Sequence, residues 1–343
     1  MTIKFGIVGY GTGGQHFHAP FIHAAENCEL TAIVARAPDT VAKVKADWPA
    51  VKIFSSLGDL IGSGSCDAVT ITTPPETRKD LVLEAMEGGL HVIADKPFAP
   101  NADGALLLHE AAKTFGVTLG VYHNRRWDSD IQTVAKLIND HRLGDIWRIH
   151  SCMEFDDPAT LEAGPTGGLL RDLGSHLVDQ MLWLLGPVMS VHCQLDHVDL
   201  PEGSTDAGFT ITLVHVNGKH SHISASKLNR FNHRELRVFG SLGGYVSCGT
   251  DIQAQSIFAG QRPHMNLDTW GYEPESHWGS LSTLEGTQRV PAEQGNYHDY
   301  YRQFAESIRN GTEPPVTALD GFETLKVLDA ARLSAETETL VSI

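Results

Sequence analysis

The sequence predicts an α/β protein of two domains: an N-terminal doubly wound parallel sheet and a C-terminal α+β domain with a large open, mostly antiparallel sheet. In the first third, short apolar runs alternate with helical stretches, whereas beyond residue 188 strand-like runs follow one another directly. A chain of 343 residues is also longer than a single core usually supports. We therefore predict domains at 1–122 and 123–343, with the C-terminal helix packing back on the first domain.

The first domain opens with an apolar run that ends in glycines. Residues 5–9 read as a strand, and the pattern Gly-x-Gly-x-x-Gly follows from its last residue. In this pattern the glycines permit a tight turn, close approach of the backbone to a pyrophosphate, and close packing of helix on strand. Because a helical pattern comes next, the sequence predicts a dinucleotide-binding Rossmann domain. The cofactor-binding candidates in this loop are Gly9, Gly11, Thr12, Gly13 and Gly14.

The rest of the first domain alternates strands and helices. The predicted strands are 30–35, 67–72, 90–94 and 117–121, and the predicted helices are 39–47, 76–88 and 101–115. Short apolar runs separated by helices are typical of strands buried on both faces of a parallel sheet. Such sheets bind ligands outside the carboxyl ends of their strands, so the residues that follow the strands are candidates for function.

The second strand runs into Arg36 rather than into an acidic residue. NAD enzymes of this fold commonly place Asp or Glu near this point to accept hydrogen bonds from the ribose, whereas an arginine can pair with the 2′-phosphate of NADP. Arg36 therefore favours NADP over NAD as the cofactor. The alternative is that Arg36 is a solvated loop residue and that Asp39 contacts the ribose.

The strand at 90–94 runs into Asp95, Lys96 and Pro97. A residue at this end of a doubly wound sheet faces the ligand crevice. The proline restricts the local turn, which makes an ordinary solvated lysine a poor explanation of Lys96. Lys96 is therefore a candidate for chemistry at the cofactor.

The second domain combines helices with consecutive strands. The predicted helices are 128–139, 170–185, 296–310 and 320–336, and the predicted strands are 146–154, 188–198, 207–216, 220–227, 234–240 and 244–248. Residues 251–295 show no clear period and predict a long loop with short strands. Trp270 in this loop is a candidate substrate contact, because aromatic faces suit the C–H surfaces of polyols. The alternative is that it packs the loop or a subunit contact.

The helix at 170–185 carries two lines of residues. Leucines and a methionine at spacings of three and four form an apolar stripe. Asp172 and His176 stand one turn apart on another face, with Asp179 three residues further on. A carboxylate one turn from an imidazole can orient the ring and raise its basicity, which suits proton transfer near neutral pH. The alternative is an ordinary surface pair on a buried helix.

Composition excludes several classes of function. A net charge of −16 argues against a nucleic-acid partner, which requires a basic surface. No apolar run approaches the roughly 18 residues of a membrane span, and no secretory signal is evident, so we expect a cytoplasmic protein. The five cysteines are scattered and the closest histidine pairs lack a third ligand, so neither a disulfide framework nor a metal site is predicted.

The motifs together resemble the Gfo/Idh/MocA oxidoreductase family. They are the glycine loop, the Asp95-Lys96-Pro97 turn, and Gly167-Gly168 followed by Asp172, His176 and Asp179. Further segments, at 17–20, 43–49, 123–128, 204–206, 295–297 and 300–301, resemble the bacterial NADP-dependent scyllo-inositol dehydrogenase subgroup. The resemblance extends from residue 3 to about 330.

Three positions depart from the family pattern. The usual tripeptide is Glu-Lys-Pro, and this chain has Asp95 in place of the glutamate. Beside the nicotinamide the family often carries Thr-Pro-Asn-x-x-His, whereas this chain has Pro75 for the asparagine and Arg78 for the histidine. These departures affect the expected details of cofactor binding and leave the expected fold intact.

The resemblance implies the roles of individual residues. Lys96, Asp172 and His176 form the catalytic group, in which His176 transfers the proton, Lys96 polarises the reacting oxygen and Asp172 holds its neighbours in register. The roles of the lysine and the histidine could also be exchanged. Further expected contacts are Thr73, Pro74 and Lys96 to the cofactor, and Asn124, Arg125 and Asp179 to the substrate.

The expected function is an NADP-dependent dehydrogenase of a cyclic polyol or sugar, most closely an inositol. The alternatives are an NADPH-dependent aldose or carbonyl reductase of the same family, and a sensor that binds the dinucleotide without turnover. The resemblance also implies a homodimer or homotetramer that assembles through the C-terminal sheet. The stereochemistry of the substrate cannot be deduced from the motifs, because families of this kind change their pockets on one fold.

Overall fold

The computed structural model describes residues 1–164, 167–249 and 251–343. The chain divides into two compact units. The N-terminal unit comprises Met1–Asn124, Gln253–Trp270 and Asn296–Phe322, and the C-terminal unit comprises Arg125–Ile252, Gly271–Gly295 and Glu323–Ile343. Each unit is therefore assembled from three segments of the chain.

The N-terminal unit is built on a parallel sheet of six strands among the described residues. The strands are β1 (Ile3–Val8), β2 (Cys28–Val34), β3 (Lys52–Phe54), β4 (Ala68–Ile71), β5 (His91–Ala94) and β6 (Leu119–Val121). Their order is β3-β2-β1-β4-β5-β6. Every residue of β4 is buried, as expected for a strand covered on both faces. The strand order reverses between β1 and β4, and a doubly wound sheet binds its ligand at that point.

Two of the helices beside this sheet are capped by polar side chains. A π-helix at Gly13–His18 continues into α1 (Ala19–Ala24), and the following helices are α2 (Pro38–Asp47), α3 (Leu57–Ser63), α4 (Pro75–Glu87) and α5 (Ala102–Phe115). Asn101 caps α5, because its side-chain oxygen accepts a hydrogen bond from the Gly104 N–H at 2.9 Å. Ser56 caps α3 in the same way at 3.0 Å. These contacts fix the points at which the chain leaves the strands.

The remaining elements complete both units. In chain order they are α6 (Ser129–Asn139), β7 (Ile146–Asp156), α7 (Leu169–Leu185), β8 (Val188–Leu200), β9 (Gly203–His215), β10 (His220–Ser226), β11 (Leu228–Gly240), β12 (Gly243–Ser247), α8 (Ile252–Phe258), β13 (Gly279–Thr283), β14 (Gly286–Val290), α9 (Tyr297–Asn310), α10 (Ala318–Thr337) and β15 (Val341–Ser342).

The C-terminal unit contains a sheet of nine strands within the described ranges. The order is β14-β13-β12-β11-β7-β10-β9-β8-β15. β7 lies in the middle, parallel to β10 and antiparallel to β11, and the other neighbouring strands pair antiparallel. α7 packs against β9 and β10. This architecture confirms the predicted fold class, including the large, mostly antiparallel sheet.

Helix α7 buries polar residues as well as its apolar stripe. Leu170, Leu173, Leu177 and Met181 are buried as predicted, and several polar residues of the helix are buried as well. His176 is only 6% exposed, which removes the hypothesis of an ordinary surface pair for the histidine. The helix therefore holds polar side chains inside the unit, where each needs a partner.

Some elements were missed from the sequence. β3 has three residues, none of them fully buried, so its apolar signal is weak. α3 contains glycine, which weakens a helical prediction. The segment 251–295, predicted as a long loop with short strands, contains the short strands β13 and β14 and also the helix α8, which was not predicted. Among the described residues no helix is both long and apolar enough to cross a membrane.

Candidate active site

The glycine loop after β1 has the geometry of a dinucleotide-binding turn. Gly9 adopts a φ of +100°, which side chains other than glycine rarely tolerate. A Cβ atom at Gly14 would collide with the carbonyl oxygen of Gly9, so the loop closes only with glycine there. At Gly11, in contrast, a Cβ atom would meet nothing within 4 Å. The backbone is therefore approachable at Gly11, as binding of an NAD(P) pyrophosphate requires, and Thr12 beside it is also exposed.

Tyr10, inside the glycine loop, anchors the loop to the end of α2. Its hydroxyl donates to Asp47 Oδ2 at 2.9 Å and accepts from Trp48 Nε1 at 2.8 Å. Gln15 Nε2 donates to the same carboxylate oxygen at 2.9 Å. In the pattern Gly-x-Gly-x-x-Gly, Tyr10 stands at the first variable position. Its contacts show that it fixes the loop through residues almost forty positions away.

Both residues considered for the ribose lie near the end of β2. Arg36 follows the strand and is exposed, and Asp39 lies in the exposed first turn of α2. Arg36 forms no hydrogen bond or ion pair with the described part of the chain. Its guanidinium is therefore available to an anionic ligand, such as a 2′-phosphate.

The loops after β4 and β5 are tied together by Arg78. This buried guanidinium donates to the carbonyl oxygens of Thr73 at 2.6 Å and of Pro97 at 2.5 Å. The departure from the family histidine therefore supplies a clamp between two strand ends. The Thr73 hydroxyl is buried and has no hydrogen-bond partner within the described residues, so it can serve a bound cofactor. Pro74 follows it as the residue before α4.

Asp95 fixes the backbone of Lys96. Its Oδ1 accepts from the Lys96 N–H at 2.8 Å, and its Oδ2 accepts from the Thr72 hydroxyl at 3.2 Å. The same Oδ2 would lie 3.3 Å from a Cβ atom at Gly13, so the carboxylate rests against the glycine loop. Lys96 itself is partly exposed. Within the N-terminal unit, Asp95, the residue before the predicted lysine, thus lies against the predicted cofactor loop.

A buried histidine stands behind Asp95. His18 Nε2 lies 3.3 Å from Asp95 Oδ2, and His18 Nδ1 lies 2.6 Å from the Tyr301 hydroxyl. Burial raises the pKa of Asp95, but the His18 imidazole, with Arg78 and Lys96 nearby, outweighs burial and holds that pKa well below its usual range. Asp95 is thus held as a carboxylate. This network could not be predicted from local patterns, because Tyr301 lies 283 residues from His18.

The Gly167-Gly168 motif and the segment 204–206 contact each other at the start of α7. Gly168 has a φ of +94°, and a Cβ atom there would collide with the Asp206 carboxylate. Asp206 Oδ2 accepts from the Leu170 N–H at 2.6 Å. A carboxylate at this end of a helix satisfies a free N–H group and interacts favourably with the helix dipole. These contacts set the position of the residues that follow on α7.

Asp172 and His176 lie one turn apart on α7, as predicted. The Asp172 side chain is 47% exposed, and its Oδ2 lies 3.2 Å from Lys227 Nζ. His176 is buried. Sequence reasoning missed Lys227, since no pattern relates a single lysine to a carboxylate 55 residues earlier.

Asp179 is held by Arg126 in a buried pair. Arg126 donates from Nε to Oδ2 at 2.9 Å and from Nη2 to Oδ1 at 2.7 Å. Both carboxylate oxygens thus already accept strong hydrogen bonds, which does not favour the predicted substrate contact of Asp179.

Arg125 pairs with Asp128 at 3.1 Å and with Asp251 at 2.8 Å.

The two other substrate candidates are buried. Asn124 is 8% exposed at the end of the first segment of the N-terminal unit. Trp270 is 5% exposed, donates from Nε1 to Gln253 Oε1 at 3.1 Å and packs edge-on against Phe21. These are the contacts of a packing residue. Within the described residues, no group of three or more potential metal ligands is present.

Both parts of the chain match models of one protein family. Residues 3–123 match the oxidoreductase family with an NAD-binding Rossmann fold, and residues 131–246 match the GFO/IDH/MocA C-terminal domain. The two matches together cover more than half of the chain.

Individual relatives match over the full length. The chain is 30% identical to scyllo-inositol 2-dehydrogenase (NADP(+)) IolW of Bacillus subtilis strain 168, over 100% of this chain and 96% of that protein. It is 31% identical to the oxidoreductase YdgJ of Escherichia coli strain K12, over 98% and 97% of the two chains. Among solved structures, the oxidoreductase yvaA of Bacillus subtilis superposes with a TM-score of 0.92 at 30% identity, covering 100% of this chain and 99% of that one.

These matches agree with the glycine loop and with the two-sheet architecture. The predicted resemblance is thereby confirmed, and the protein is an NAD(P)-dependent dehydrogenase. The chain belongs to the Gfo/Idh/MocA family of oxidoreductases.

Proposed function

We propose that the protein is a cytoplasmic, NADP-dependent dehydrogenase that oxidises a secondary alcohol of a cyclic polyol or sugar, most closely an inositol. The observation that carries the proposal is the turn after β5, where Asp95 lies against the glycine loop and accepts a hydrogen bond from the N–H of Lys96. The full-length similarity to a scyllo-inositol 2-dehydrogenase supports the substrate class. The five free cysteines agree with a reducing compartment.

The protein's own side chains move the proton. The nicotinamide, when bound, accepts the hydride from the ring carbon. His176 takes the proton of the reacting hydroxyl, and burial of its ring protects that transfer from bulk water. Lys96 polarises the same oxygen, and Asp172 supports the histidine from one turn away. The lysine and the histidine could also share the proton as a relay.

The cofactor preference is assigned to Arg36. Its exposed guanidinium at the end of β2 is suited to the 2′-phosphate of NADP, and the Bacillus subtilis relative is named as NADP-dependent. Replacing Arg36 by alanine should weaken NADP binding and leave NAD binding nearly unchanged. Equal or better efficiency of the unmodified protein with NAD would contradict the assignment, as would unchanged NADP affinity in the variant.

The decisive experiment is reduction of NADP measured at 340 nm. We expect turnover with scyllo-inositol or myo-inositol and less with glucose and xylose. NADPH oxidation with the corresponding ketones and aldoses tests the reverse direction. If the protein binds NADP and turns over none of these compounds in either direction, the dehydrogenase proposal fails in favour of a dinucleotide sensor.

We also propose that the chain forms a homodimer or homotetramer through the face of the nine-stranded sheet opposite α7. This face carries aromatic and charged side chains together: Arg148 stacks on Phe239 at 4.6 Å, and the rings of His150 and His222 lie 4.8 Å apart. Arginine and aromatic residues are enriched in protein interfaces. Light scattering should give a mass of two or four chains, and a monomer at micromolar concentration would contradict this.

A further inference from the structure

Lys227 lies where the chain passes from one side of β7 to the other in the nine-stranded sheet. It is the single residue between β10 and β11. Because β10 pairs with one edge of β7 and β11 with the other, the chain passes over the carboxyl end of β7 at this residue. The Lys227 N–H donates to the Ala207 carbonyl at 3.0 Å, and its own carbonyl accepts from the Asp157 N–H at 3.1 Å. The main chain is therefore fixed from two sides.

The side chain of Lys227 is buried and directed at Asp172. The residue is 8% exposed, and Nζ lies 3.2 Å from Asp172 Oδ2 and 3.4 Å from the Thr160 carbonyl oxygen. A buried ammonium requires a counter-charge, and here the Asp172 carboxylate supplies it. Lys227 has no further polar partner in the described part of the chain.

The position of Lys227 follows from the fold rather than from a local motif. The one-residue link and the two backbone hydrogen bonds fix the point from which the Lys227 side chain extends. Asp172, in contrast, lies in the first turn of α7 with its side chain 47% exposed. A half-exposed carboxylate is thus paired with a buried cation whose main chain is fixed.

We propose that Lys227 is a positioning residue of the reaction, which holds the Asp172 carboxylate in its orientation beside His176. This inference rests on the proposed function, in which Asp172 and His176 serve proton transfer. The lysine acts through Asp172, so its contribution should vanish when Asp172 has lost its charge. It should affect turnover rather than dinucleotide binding, because its contacts lie in the C-terminal unit.

The test compares Lys227→Met with Lys227→Arg. Methionine keeps the length of the side chain without charge, and we expect kcat to fall about 10-fold to 100-fold, the range in which supporting partners of functional groups act. Arginine restores the charge in a different geometry and should recover part of the loss. The matched control is Lys219→Met, the same substitution at the other end of β10, which should leave kcat and KM unchanged.

A double-mutant cycle with Asp172→Asn separates positioning from a general structural role. If Lys227 acts through Asp172, Lys227→Met should reduce kcat/KM in the unmodified protein and have little effect in the Asp172→Asn background. Additive effects, or an unchanged kcat in Lys227→Met, would overturn the proposal. NADPH affinity measured by fluorescence titration should be the same in all four proteins.

Failure of the proposed function would be visible separately. It would appear as a lack of turnover in the unmodified protein with every polyol and ketone. In that case the same four proteins are compared by urea unfolding, which needs no substrate. A coupling between Lys227 and Asp172 in the unfolding midpoints supports the pairing, and its absence overturns the inference about Lys227 independently of the substrate.

Discussion

The two carboxylates beside the proposed catalytic groups are held in different ways. Asp95, in the N-terminal unit, accepts from a main-chain N–H and a hydroxyl and is backed by the buried His18. Asp172, in the C-terminal unit, is half exposed, and its Oδ2 lies 3.2 Å from Nζ of Lys227, the residue between β10 and β11. The first arrangement fixes the backbone that carries a functional group. The second orients a side chain that a ligand can still approach.

The largest expected effect comes from the catalytic side chains themselves. His176→Asn should lower kcat about 10²-fold or more and leave NADPH affinity unchanged, because the histidine serves only proton transfer. Lys96→Met should lower kcat by a similar factor and also weaken NADPH binding, because Lys96 directly follows Asp95, which lies against the glycine loop. Stopped-flow turnover and fluorescence titration measure the two quantities.

The predicted difference in NADPH affinity between the two variants can be contradicted. If both variants change NADPH affinity equally, the division between a cofactor side and a substrate side is wrong. Near-normal turnover in either variant would remove that residue from the catalytic group.

A smaller effect, on the free energy of unfolding, is expected from the buried His18 and Tyr301 pair that contacts Asp95. Tyr301→Phe removes the hydroxyl at 2.6 Å from His18 Nδ1 and leaves that buried nitrogen without this partner. An unsatisfied buried group typically costs about 1–3 kcal/mol of unfolding free energy. Urea unfolding measures the loss, and Tyr272→Phe, at a tyrosine that is 50% exposed, serves as the control. If the two variants are equally stable, the buried network does not support Asp95.

The smallest effect concerns a third carboxylate, Glu273 in the C-terminal unit. Burial raises its pKa, and the His277 imidazole at 3.0 Å only partly offsets this, with Asp130 and Asp251 nearby. A raised pKa means that ionised Glu273 destabilises the folded state at neutral pH. This cost disappears as the pH falls below the ordinary value near 4.5.

Glu273→Gln should therefore be more stable than the unmodified protein at pH 7, by less than about 1 kcal/mol, and should lose this advantage by about pH 4. Urea unfolding at several pH values measures it. The exposed Glu285→Gln is the charge-matched control and should show no such dependence. A Glu273→Gln variant that is less stable at pH 7 would show that Glu273, like Asp95, is stabilised in its ionised form.

The sequence predicts the parts of this site that depend on neighbours along the chain. Gly9, Gly11 and Gly14 form a local turn, and Lys96 directly follows an apolar strand, so pattern and position suffice to find them. The partners of Asp95 and Asp172 could not be predicted, because they arrive through tertiary packing. Lys227 reaches Asp172 only because β10 and β11 lie on opposite edges of β7.

Arg78 shows a second limit of motif reasoning. As a departure from the family pattern it suggested a change in nicotinamide binding. In the structure it clamps the Thr73 and Pro97 carbonyls together. The motif identifies Arg78 as a substitution, but the contacts of its side chain depend on the loops after β4 and β5, which a motif does not describe.

The central place of β7 has a consequence for the order in which the chain can be built during synthesis. In the N-terminal sheet each new strand joins an edge that already exists, because β2 pairs with β1, β3 with β2, β4 with β1, β5 with β4 and β6 with β5. β7 has no native partner until the ribosome has added β10 and β11, which begin at His220 and Leu228. Both of its edges stay unpaired for that interval, and unpaired edges are sites of wrong association. During synthesis the central strand of the second sheet therefore stays unpaired for longer than any strand of the first sheet.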